Sequence, residues 1–369
     1  MQLNPRAITM RTFTASLLTA LVTSIANTGF PAENSQANPS NCSIDQGQSY
    51  IEQGRYEKAI HAFTCVIEQD PTAVEGYRGR IEAELLLGRY SDALADYALV
   101  AAHVLPVHPD GRDTIFAGYA ARLAAAPDDI TALMGASFAR WSNYEYPPAI
   151  HILNHLLEVQ PNNVFGNLFR GSSRLLKGIA TGKGVADLDR ALMLAPQNPH
   201  VRFIVADAYT YGLSDPERAF AEASLALDGG LDTPRVHAIL ATSYFAFGDE
   251  ESAADHLLRH FELVTTELVT TAPLAPNTSM TVSLVPGRVC EIPISLAAGE
   301  ILAISTSSED YWDSIAVVLA PDGTAVTGSD DANAYFAAFD WTAPAAGTYR
   351  LRVTFFESVN YGNLTVTRD

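Results

Sequence analysis

Few residues of this sequence have the types and spacing that catalysis requires. His151 and His155 are one helical turn apart, as in zinc-binding helices, but the residues between them lack the glutamate that such helices use as a base. The stretch 178–184 resembles a phosphate-binding loop, but Gly184 stands where a serine or threonine would bind magnesium. No G-x-S-x-G nucleophile motif is present. The sequence therefore predicts a protein that is not an enzyme.

Four aspartates near the C-terminus have the chemistry of a calcium site. Asp310 and Asp313 belong to one predicted turn region, and Asp330 and Asp331 belong to another. If these turns are neighbours, their carboxylates would supply the oxygen ligands that calcium prefers. Aspartate is equally suited to turns that bind no metal, and that alternative stays open. Calcium is the one cofactor that the sequence suggests.

The composition is that of an acidic, soluble protein. The 369 residues include 23 Lys and Arg against 42 Asp and Glu, which gives a formal net charge of −19. Nucleic acids and anionic membranes are bound by basic surfaces, so this charge argues against both as partners. A chain of this length has room for two or three domains.

The first 26 residues have the three regions of a secretory signal peptide. Arg6 and Arg11 precede an apolar run from Phe13 to Ala26, which ends in small residues. Because a transmembrane helix needs roughly 20 apolar residues, we predict a signal peptide at 1–26, a flexible leader at 27–40 and no membrane span in the mature chain. A signal segment retained as an anchor is the alternative. The predicted destination is the periplasm, the extracellular space or the cell surface.

A pattern of small and aromatic residues recurs after 34 residues. On both sides of Gly54 the apolar residues have helical spacing, which predicts two helices joined by a turn. One such hairpin cannot bury its own apolar face, so neighbouring hairpins must stack. The corresponding positions are Gly54 and Gly88, Tyr56 and Tyr90, Ala59 and Ala93, and Phe63 and Tyr97.

The pattern resembles the tetratricopeptide repeat, a hairpin of two helices with small residues, aromatics and a closing proline at characteristic positions. The resemblance covers about six repeats over residues 41–268 and is strongest in the first two, with an irregular helical stretch at 112–129. It implies an all-α solenoid in which each hairpin packs on the next.

The cysteines are interpreted on the same resemblance. The start of the first helix of a hairpin lies beside the end of the second, which would bring Cys42 close to Cys65. Outside the cytoplasm such a pair is expected to form a disulfide. Two buried free thiols are the alternative. Cys290 is predicted to be an inert thiol in a strand.

In the tetratricopeptide family the first helix of each hairpin lines the inner face of the solenoid and contacts the ligand. The resemblance therefore predicts a groove for a protein or peptide, rich in the aromatic and arginine side chains that anchor interfaces. Packing of the phenylalanines between repeats is the alternative. The candidate groove residues are Arg78, Glu82, Phe138, Trp141, Phe165, Tyr211 and Phe245.

The helical pattern ends at Leu268. A Thr- and Pro-rich stretch, 269–278, is predicted to be a linker, and residues 279–369 contain short alternating runs that predict a small all-β sandwich. The order of its turns resembles the bacterial pre-peptidase C-terminal domain, a jelly-roll-like accessory module of secreted enzymes. Matching segments are Ala298-Gly299-Glu300, Pro321-Asp322-Gly323 and Gly347-Thr348-Tyr349.

Together these features predict an exported, non-catalytic scaffold that binds protein or peptide partners through its helical groove, with the sandwich as an accessory module. In one alternative the sandwich binds carbohydrate or the cell envelope and the solenoid is a spacer. In another the protein is an accessory subunit of a secreted hydrolase.

Overall fold

The computed structural model describes residues 43–100, 111–285, 287–309, 313–329, 336–355 and 362–369. These residues form two compact units, one up to Leu231 and the other from Asp232 onwards. The predicted fold class, helical hairpins followed by a β-sandwich, is confirmed. Within the described ranges, no helix is both long and apolar enough to cross a bilayer.

The described part of the first unit contains eleven α-helices, and a short π-helical turn follows α10 at Tyr209–Leu213. Ten of the α-helices pair into five hairpins, and α5 stands alone. The helices are α1 (Ile44–Glu52), α2 (Tyr56–Gln69), α3 (Val74–Leu87), α4 (Tyr90–Leu99), α5 (Gly111–Ala125), α6 (Ile130–Ser142), α7 (Tyr146–Val159), α8 (Val164–Lys177), α9 (Thr181–Leu194), α10 (Pro199–Ala208) and α11 (Pro216–Asp228).

Polar caps and glycines fix where these helices begin and end. Asp129, Asn163 and Asn198 precede α6, α8 and α10, and each side chain accepts a backbone N–H of the first turn. Gly88 and Gly178 end α3 and α8 at φ angles of 73° and 68°, which glycine adopts without strain. Glycines of the sequence repeat therefore mark helix ends.

Glycines inside the helices let neighbouring helices approach closely. Phe63 of α2 lies between Gly47 of α1 and Gly79 of α3, so tightly that a methyl group on either glycine would overlap its ring. Tyr119 of α5 packs in the same way on Gly135 of α6. In α2–α3 and in α5–α6 the aromatic residue precedes the glycine on the next helix by 16 positions. The single helix α5 thus packs on α6 as the second helix of a hairpin would.

Two hairpins each contain an ion pair that joins their two helices. Arg80 of α3 donates from Nε to Asp96 of α4 at 2.6 Å, and Arg170 of α8 donates from Nε to Asp187 of α9 at 2.9 Å. Each arginine also donates to a polar side chain of the preceding helix. Because a buried charge without its partner is costly, each pair fixes the geometry of its hairpin.

The single helix α5 lies between two first helices, α3 and α6, that run in opposite directions. Arg122 of α5 bonds Glu82, near the end of α3, at 2.8 Å and Asp129, at the start of α6, at 3.0 Å. One turn earlier, the Tyr119 hydroxyl donates to the Arg78 carbonyl of α3 at 3.3 Å. Tyr119 also packs on the middle of α6. Glu82 therefore lies near the start of α6, whereas Arg78, which is earlier in α3, lies near its middle. The helices α3 and α6 are therefore antiparallel.

The second unit consists of a helical hairpin and two β-sheets. One sheet has the order β1-β3-β8-β5-β6, in which only β1 and β3 are parallel, and the other has the antiparallel order β2-β9-β4-β7. The elements are α12 (Pro234–Phe247), α13 (Glu250–Val264), β1 (Glu267–Thr270), β2 (Thr278–Leu284), β3 (Arg288–Leu296), β4 (Ile301–Ser308), β5 (Ser314–Leu319), β6 (Ala325–Ser329), β7 (Ala338–Thr342), β8 (Gly347–Phe355) and β9 (Gly362–Arg368).

The five-stranded sheet is buried on both sides. Ile315 and Val317 of β5 form one core with Leu257 and Phe261 of α13. The residue between them, Ala316, joins the core that faces the four-stranded sheet. This double burial explains why β5 is a continuous apolar run instead of an alternating strand.

The hairpin α12–α13 shifts the predicted domain boundary. We expected the helical domain to extend to 268 and a linker to occupy 269–278, but the last hairpin shares its core with the sheet, and β1 at Glu267–Thr270 pairs with β3. Helical periodicity cannot reveal this, because an amphipathic hairpin has the same pattern whether its apolar face meets a hairpin or a sheet.

The contact between Phe63 and Gly79 can be tested by adding one methyl group. Alanine favours helix over glycine by about 1 kcal/mol, but overpacking typically costs about 1–3 kcal/mol. We expect Gly79→Ala to lower the free energy of unfolding, measured by urea denaturation. Gly182→Ala in the first turn of α9 is the control, since its added Cβ meets nothing within 4 Å. Equal or greater stability of Gly79→Ala relative to the control would contradict this packing.

Candidate functional site

Most of the described side chains of helix α4 are buried. In most other hairpins the second helix buries one stripe and exposes the rest, as α7 and α11 do. The α4 side chains that are at most 4% exposed are Tyr90, Ser91, Ala93, Leu94, Ala95, Asp96 and Tyr97. A helix buried in this way belongs to the core of the unit.

The aromatic residues of α4 contact the first helices of later hairpins. The ring of Tyr90 lies 5.8 Å from Phe165 and 5.7 Å from Phe169 of α8, both in edge-on geometry. The ring of Tyr97 lies 6.0 Å from Phe138 of α6. We call the surface formed by α6, α8 and α10 the A face, since these are the first helices of hairpins three to five. Edge-on ring pairs of this kind add to the stability gained by burial.

Polar contacts tie the start of α4 to α10. The Asn198 side chain donates to the Gly88 carbonyl at 3.1 Å, and the Ser91 hydroxyl lies 2.5 Å from Nδ1 of His200. Burial lowers the pKa of His200 below 6.5, although Asp92 opposes the shift. This shift favours the neutral ring. Helix α4 thus contacts all three helices of the A face.

Four of the seven predicted groove residues are buried beneath this helix or beside it. Phe138 and Phe165 are each 1% exposed, and Trp141 is 2% exposed. Trp141 packs edge-on against Phe169 at 5.0 Å and donates from Nε1 to a serine of α8. Glu82, 4% exposed, is held by the ion pair with α5. The two phenylalanines pack against α4. Trp141 packs against α8, and Glu82 is paired with α5.

The other three predicted residues are partly exposed but do not form one site. Arg78 of α3 lies against Gly118 of α5, and Tyr211 belongs to the π-helical turn after α10. Phe245 of α12 belongs to the second unit, where it packs against the core shared with the sheet. The structure thus does not bring the seven predicted residues together in one open groove.

A signal for this burial is present in the sequence of α4. The helix α2, Tyr-Glu-Lys-Ala-Ile-His-Ala-Phe-Thr-Cys-Val-Ile-Glu-Gln, carries charged residues on its outer stripe, whereas α4 has small or apolar residues around most of its circumference. Such a composition is typical of a helix buried all round.

A cleft of about 390 Å³ remains open beside the covered A face. It lies where α3 ends and where α6, α8 and α10 begin, because the reversal at α5 brings these helix ends together. Its wall contains Leu85, Leu86, Leu87, Gly88, Tyr90, Ile130, Met134, Gln160, Asn163, Val164, Phe165, Ala195 and Asn198.

The cleft combines apolar side chains with amides that are already hydrogen-bonded. Leu86, Ile130 and Val164 are half-buried in the free chain. Asn163 accepts from the backbone N–H of its helix and donates to Gln160 at 3.0 Å. A site of this kind suits apolar side chains of a ligand more than a charged group. Sequence analysis missed these residues because they lie at helix ends, outside the middle of the first helices.

Helices α3 and α4 contain two buried acids, Glu84 and Asp96. Burial raises the pKa of Asp96, although Arg80 opposes the shift, and burial together with nearby Asp96 raises the pKa of Glu84 well above its usual range. The Oε2 atom of Glu84 has no hydrogen-bond partner among the described residues. These groups position helices α3 and α4 and are not open to solvent.

Residues 44–104 match the family model of the tetratricopeptide repeat. The match confirms the predicted resemblance for the first two hairpins. Tetratricopeptide repeats generally bind protein partners, and proteins built from them are typically non-catalytic scaffolds.

Solved structures with similar folds include proteins of both predicted types. A thermophilic tetratricopeptide repeat protein of Thermus thermophilus is 19% identical, with a TM-score of 0.36, and the match covers 56% of this chain and 100% of that chain. For a tetratricopeptide repeat protein from Parabacteroides merdae the identity is 15%, the TM-score 0.37 and the coverage 60% and 91%. The pre-peptidase C-terminal domain of a collagenase from Bacillus anthracis has 18% identity, a TM-score of 0.24 and coverage of 28% and 95%. No curated protein matches the chain.

The structure describes only part of the predicted disulfide and calcium sites. Cys65 is disulfide-bonded and Cys290 is a free buried thiol, while Cys42 lies outside the described residues. Asp310, Asp330 and Asp331 also lie outside them, so the calcium site remains a prediction. Over the ranges that are described, no group of three or more His, Cys, Asp or Glu is placed to hold a metal ion.

Three histidines of the last hairpin lie in surroundings that favour the neutral ring. His237 lies 2.9 Å from Asp232 through Nε2 and 2.7 Å from His256 through Nδ1, and His260 donates from Nδ1 to the Pro234 carbonyl at 3.0 Å. Burial lowers the pKa of His256 and of His260 to about 4. Burial also lowers the pKa of His237, although Asp232 opposes the shift.

The lowered pKa values of these histidines predict that the second unit becomes less stable in acid. Because their folded-state pKa values lie below 6.5, the unfolded chain binds more protons between about pH 6.5 and 4, and stability falls as pH falls through that window. We expect the unfolding temperature of the second unit to decrease from pH 7.5 to 4.5, measured by calorimetry. The variant His256→Gln should have a shallower decrease. An identical slope in the variant would contradict this assignment.

Proposed function

We propose that the protein is an exported, non-catalytic scaffold that captures protein partners through the cleft between the end of α3 and the starts of α6 and α8. The observation that carries this proposal is the cleft itself, in which half-exposed Leu86, Ile130 and Val164 lie beside amides that are already paired. A volume of about 390 Å³ accommodates a few large apolar side chains. We therefore expect the ligand to be an extended peptide segment of another protein.

Two features of the N-terminal region support export. The signal-like segment 1–26 precedes it, and Cys65 is disulfide-bonded, as is common outside the reducing cytoplasm. We propose that the protein acts in the periplasm, outside the cell or at the cell surface. The β-sandwich would be an accessory module with no peptidase activity.

The cleft is tested by placing charge in it. The double variant Ile130→Glu/Val164→Glu puts two carboxylates into the apolar wall at the first positions of α6 and α8, where the helix dipoles tolerate them. We expect at least a tenfold loss of partner capture, measured by crosslinking in the native host followed by quantitative mass spectrometry.

The matched control is Ile179→Glu/Met193→Glu, which adds the same charge at side chains that are 43% and 66% exposed and lie outside the cleft wall. The control should capture the same partners as the unmodified chain. Equal loss in both double variants, or no loss in either, would contradict a role for the cleft.

A second candidate function rests on the outer face of the four-stranded sheet, which we call the hydroxyl face. Strands β2, β9 and β4 carry two rows of hydroxyl side chains in register on this face, and Asp340 of β7 is an exposed charged residue of the same face. The rows are Ser279, Thr367 and Ser305, and Thr281, Thr365 and Ser307. Hydroxyls spaced regularly along strands offer repeated hydrogen bonds to a neutral polysaccharide. In this alternative the sandwich binds carbohydrate and the helical unit is a spacer.

Binding to insoluble polysaccharides tests the hydroxyl face. We expect the full chain to sediment with at least one of cellulose, chitin or peptidoglycan, and Thr281→Lys/Thr365→Lys to weaken that binding at least fivefold. The control Ala272→Lys/Ala345→Lys adds the same charge at exposed alanines of the same unit. Absence of sedimentation with all three materials would exclude these polysaccharides as ligands.

A further inference from the structure

We propose that His237 and His256 bind a divalent transition-metal ion of the kind that prefers imidazole ligands, such as Zn²⁺, and that this ion joins the two helices of the last hairpin. The Nδ1 atom of each ring would be a ligand. Both residues belong to the second unit, and neither lines the cleft, so this site is separate from the proposed partner-binding function.

The fold brings two ring nitrogens from different helices together. His237 lies in the first turn of α12, and His256 lies in the middle of α13. Their Nδ1 atoms are 2.7 Å apart, and their ring centroids are 5.0 Å apart. Two Zn–N bonds of about 2.0–2.1 Å in tetrahedral geometry place their nitrogens about 3.3 Å apart. A small rotation of the half-buried His256 ring would therefore admit the ion.

Asp232 determines which nitrogen of His237 is available. Its Oδ1 atom accepts from Nε2 of His237 at 2.9 Å, so the neutral ring carries its proton on Nε2 and directs the lone pair of Nδ1 at His256. Ligating histidines at metal sites usually donate from their other nitrogen to a carboxylate in this way. In the hydrogen-bonded pair His256 must donate from Nδ1. Metal binding moves that proton to Nε2 of the same ring and releases none.

The electrostatic surroundings suit a cation. Arg259 bonds Asp232 at 2.5 Å and Glu262 at 3.0 Å, so two carboxylates and one guanidinium lie at this edge of the hairpin. Burial lowers the pKa of His256 to about 4 and also lowers the pKa of His237, although Asp232 opposes the second shift. Protons therefore compete little with a metal ion for these rings at neutral pH.

The donor set selects the class of metal. Imidazole nitrogen suits Zn²⁺, Cu²⁺ and Ni²⁺, whereas Mg²⁺ and Ca²⁺ prefer oxygen ligands. Two protein ligands are fewer than the four of a structural zinc site, and water would fill the other positions. We therefore expect an open site that binds the ion reversibly and stabilises the second unit by binding only its folded form.

Calorimetric titration of the full chain with ZnCl₂ at pH 7.5 tests the site, with excess CaCl₂ present to occupy oxygen-rich sites. We expect His256→Gln to weaken zinc binding at least tenfold, and Asp232→Asn, which keeps both ligands, to weaken it about tenfold. The control His151→Gln/His155→Gln removes a pair at helical spacing on α7 and should bind zinc as the unmodified chain does.

Three results of this titration would overturn the proposal. One is equal binding by His256→Gln and the unmodified chain. Another is loss of binding in the α7 control alone, and the third is no binding by the unmodified chain at millimolar zinc. None of them affects the cleft, which is tested by its own charged variants and by capture of partners.

Nuclear magnetic resonance of the unmodified chain gives an independent answer, including the case in which His256→Gln does not fold. With ¹⁵N-labelled histidine, zinc should change the spectra of two of the nine rings, with the metal on Nδ1 and the proton on Nε2 in both. Spectra in which no two rings change in this way would contradict the site.

Discussion

The relative direction of the first helices of successive hairpins decides which of their ends and faces meet. In this chain a single helix, α5, lies between the second hairpin and the third, and α3 and α6 are antiparallel. The contacts of Arg122 with both Glu82 and Asp129 hold this arrangement. The covering of the A face by α4 and the cleft at the helix ends both depend on it.

The hairpins could be predicted from the sequence because their determinants are local. Gly79 must be small since Phe63 lies against it, and both residues belong to adjacent helices of the same pattern. The burial of Phe138 and Phe165 could not be predicted in this way, because the rings that cover them lie on α4, several helices earlier in the chain. Periodicity shows that a helix has an apolar face but not which distant element meets that face.

The covering of the A face changes what kind of binding the helical unit offers. In an open array, the whole row of first helices would be available, and rings such as Phe165 would be its anchors. Here those rings are within the core, and the surface that remains is at the helix ends, where Ile130 and Val164 start α6 and α8. The helical unit therefore presents a small cleft at the helix ends.

The hairpin α12–α13 buries its apolar face against a β-sheet and not against another hairpin. A helical array needs its terminal apolar face covered, and natural arrays often use a final helix with a polar outer side. In the second unit, Leu257 and Phe261 of α13 pack on Ile315 and Val317 of β5, so a β-sheet covers the face that another hairpin would cover. Since that apolar face is already buried, no further hairpin can stack on it. The sandwich is thus part of the core of the last hairpin, and the outer face of its other sheet is left to solvent, where a hydroxyl surface is stable.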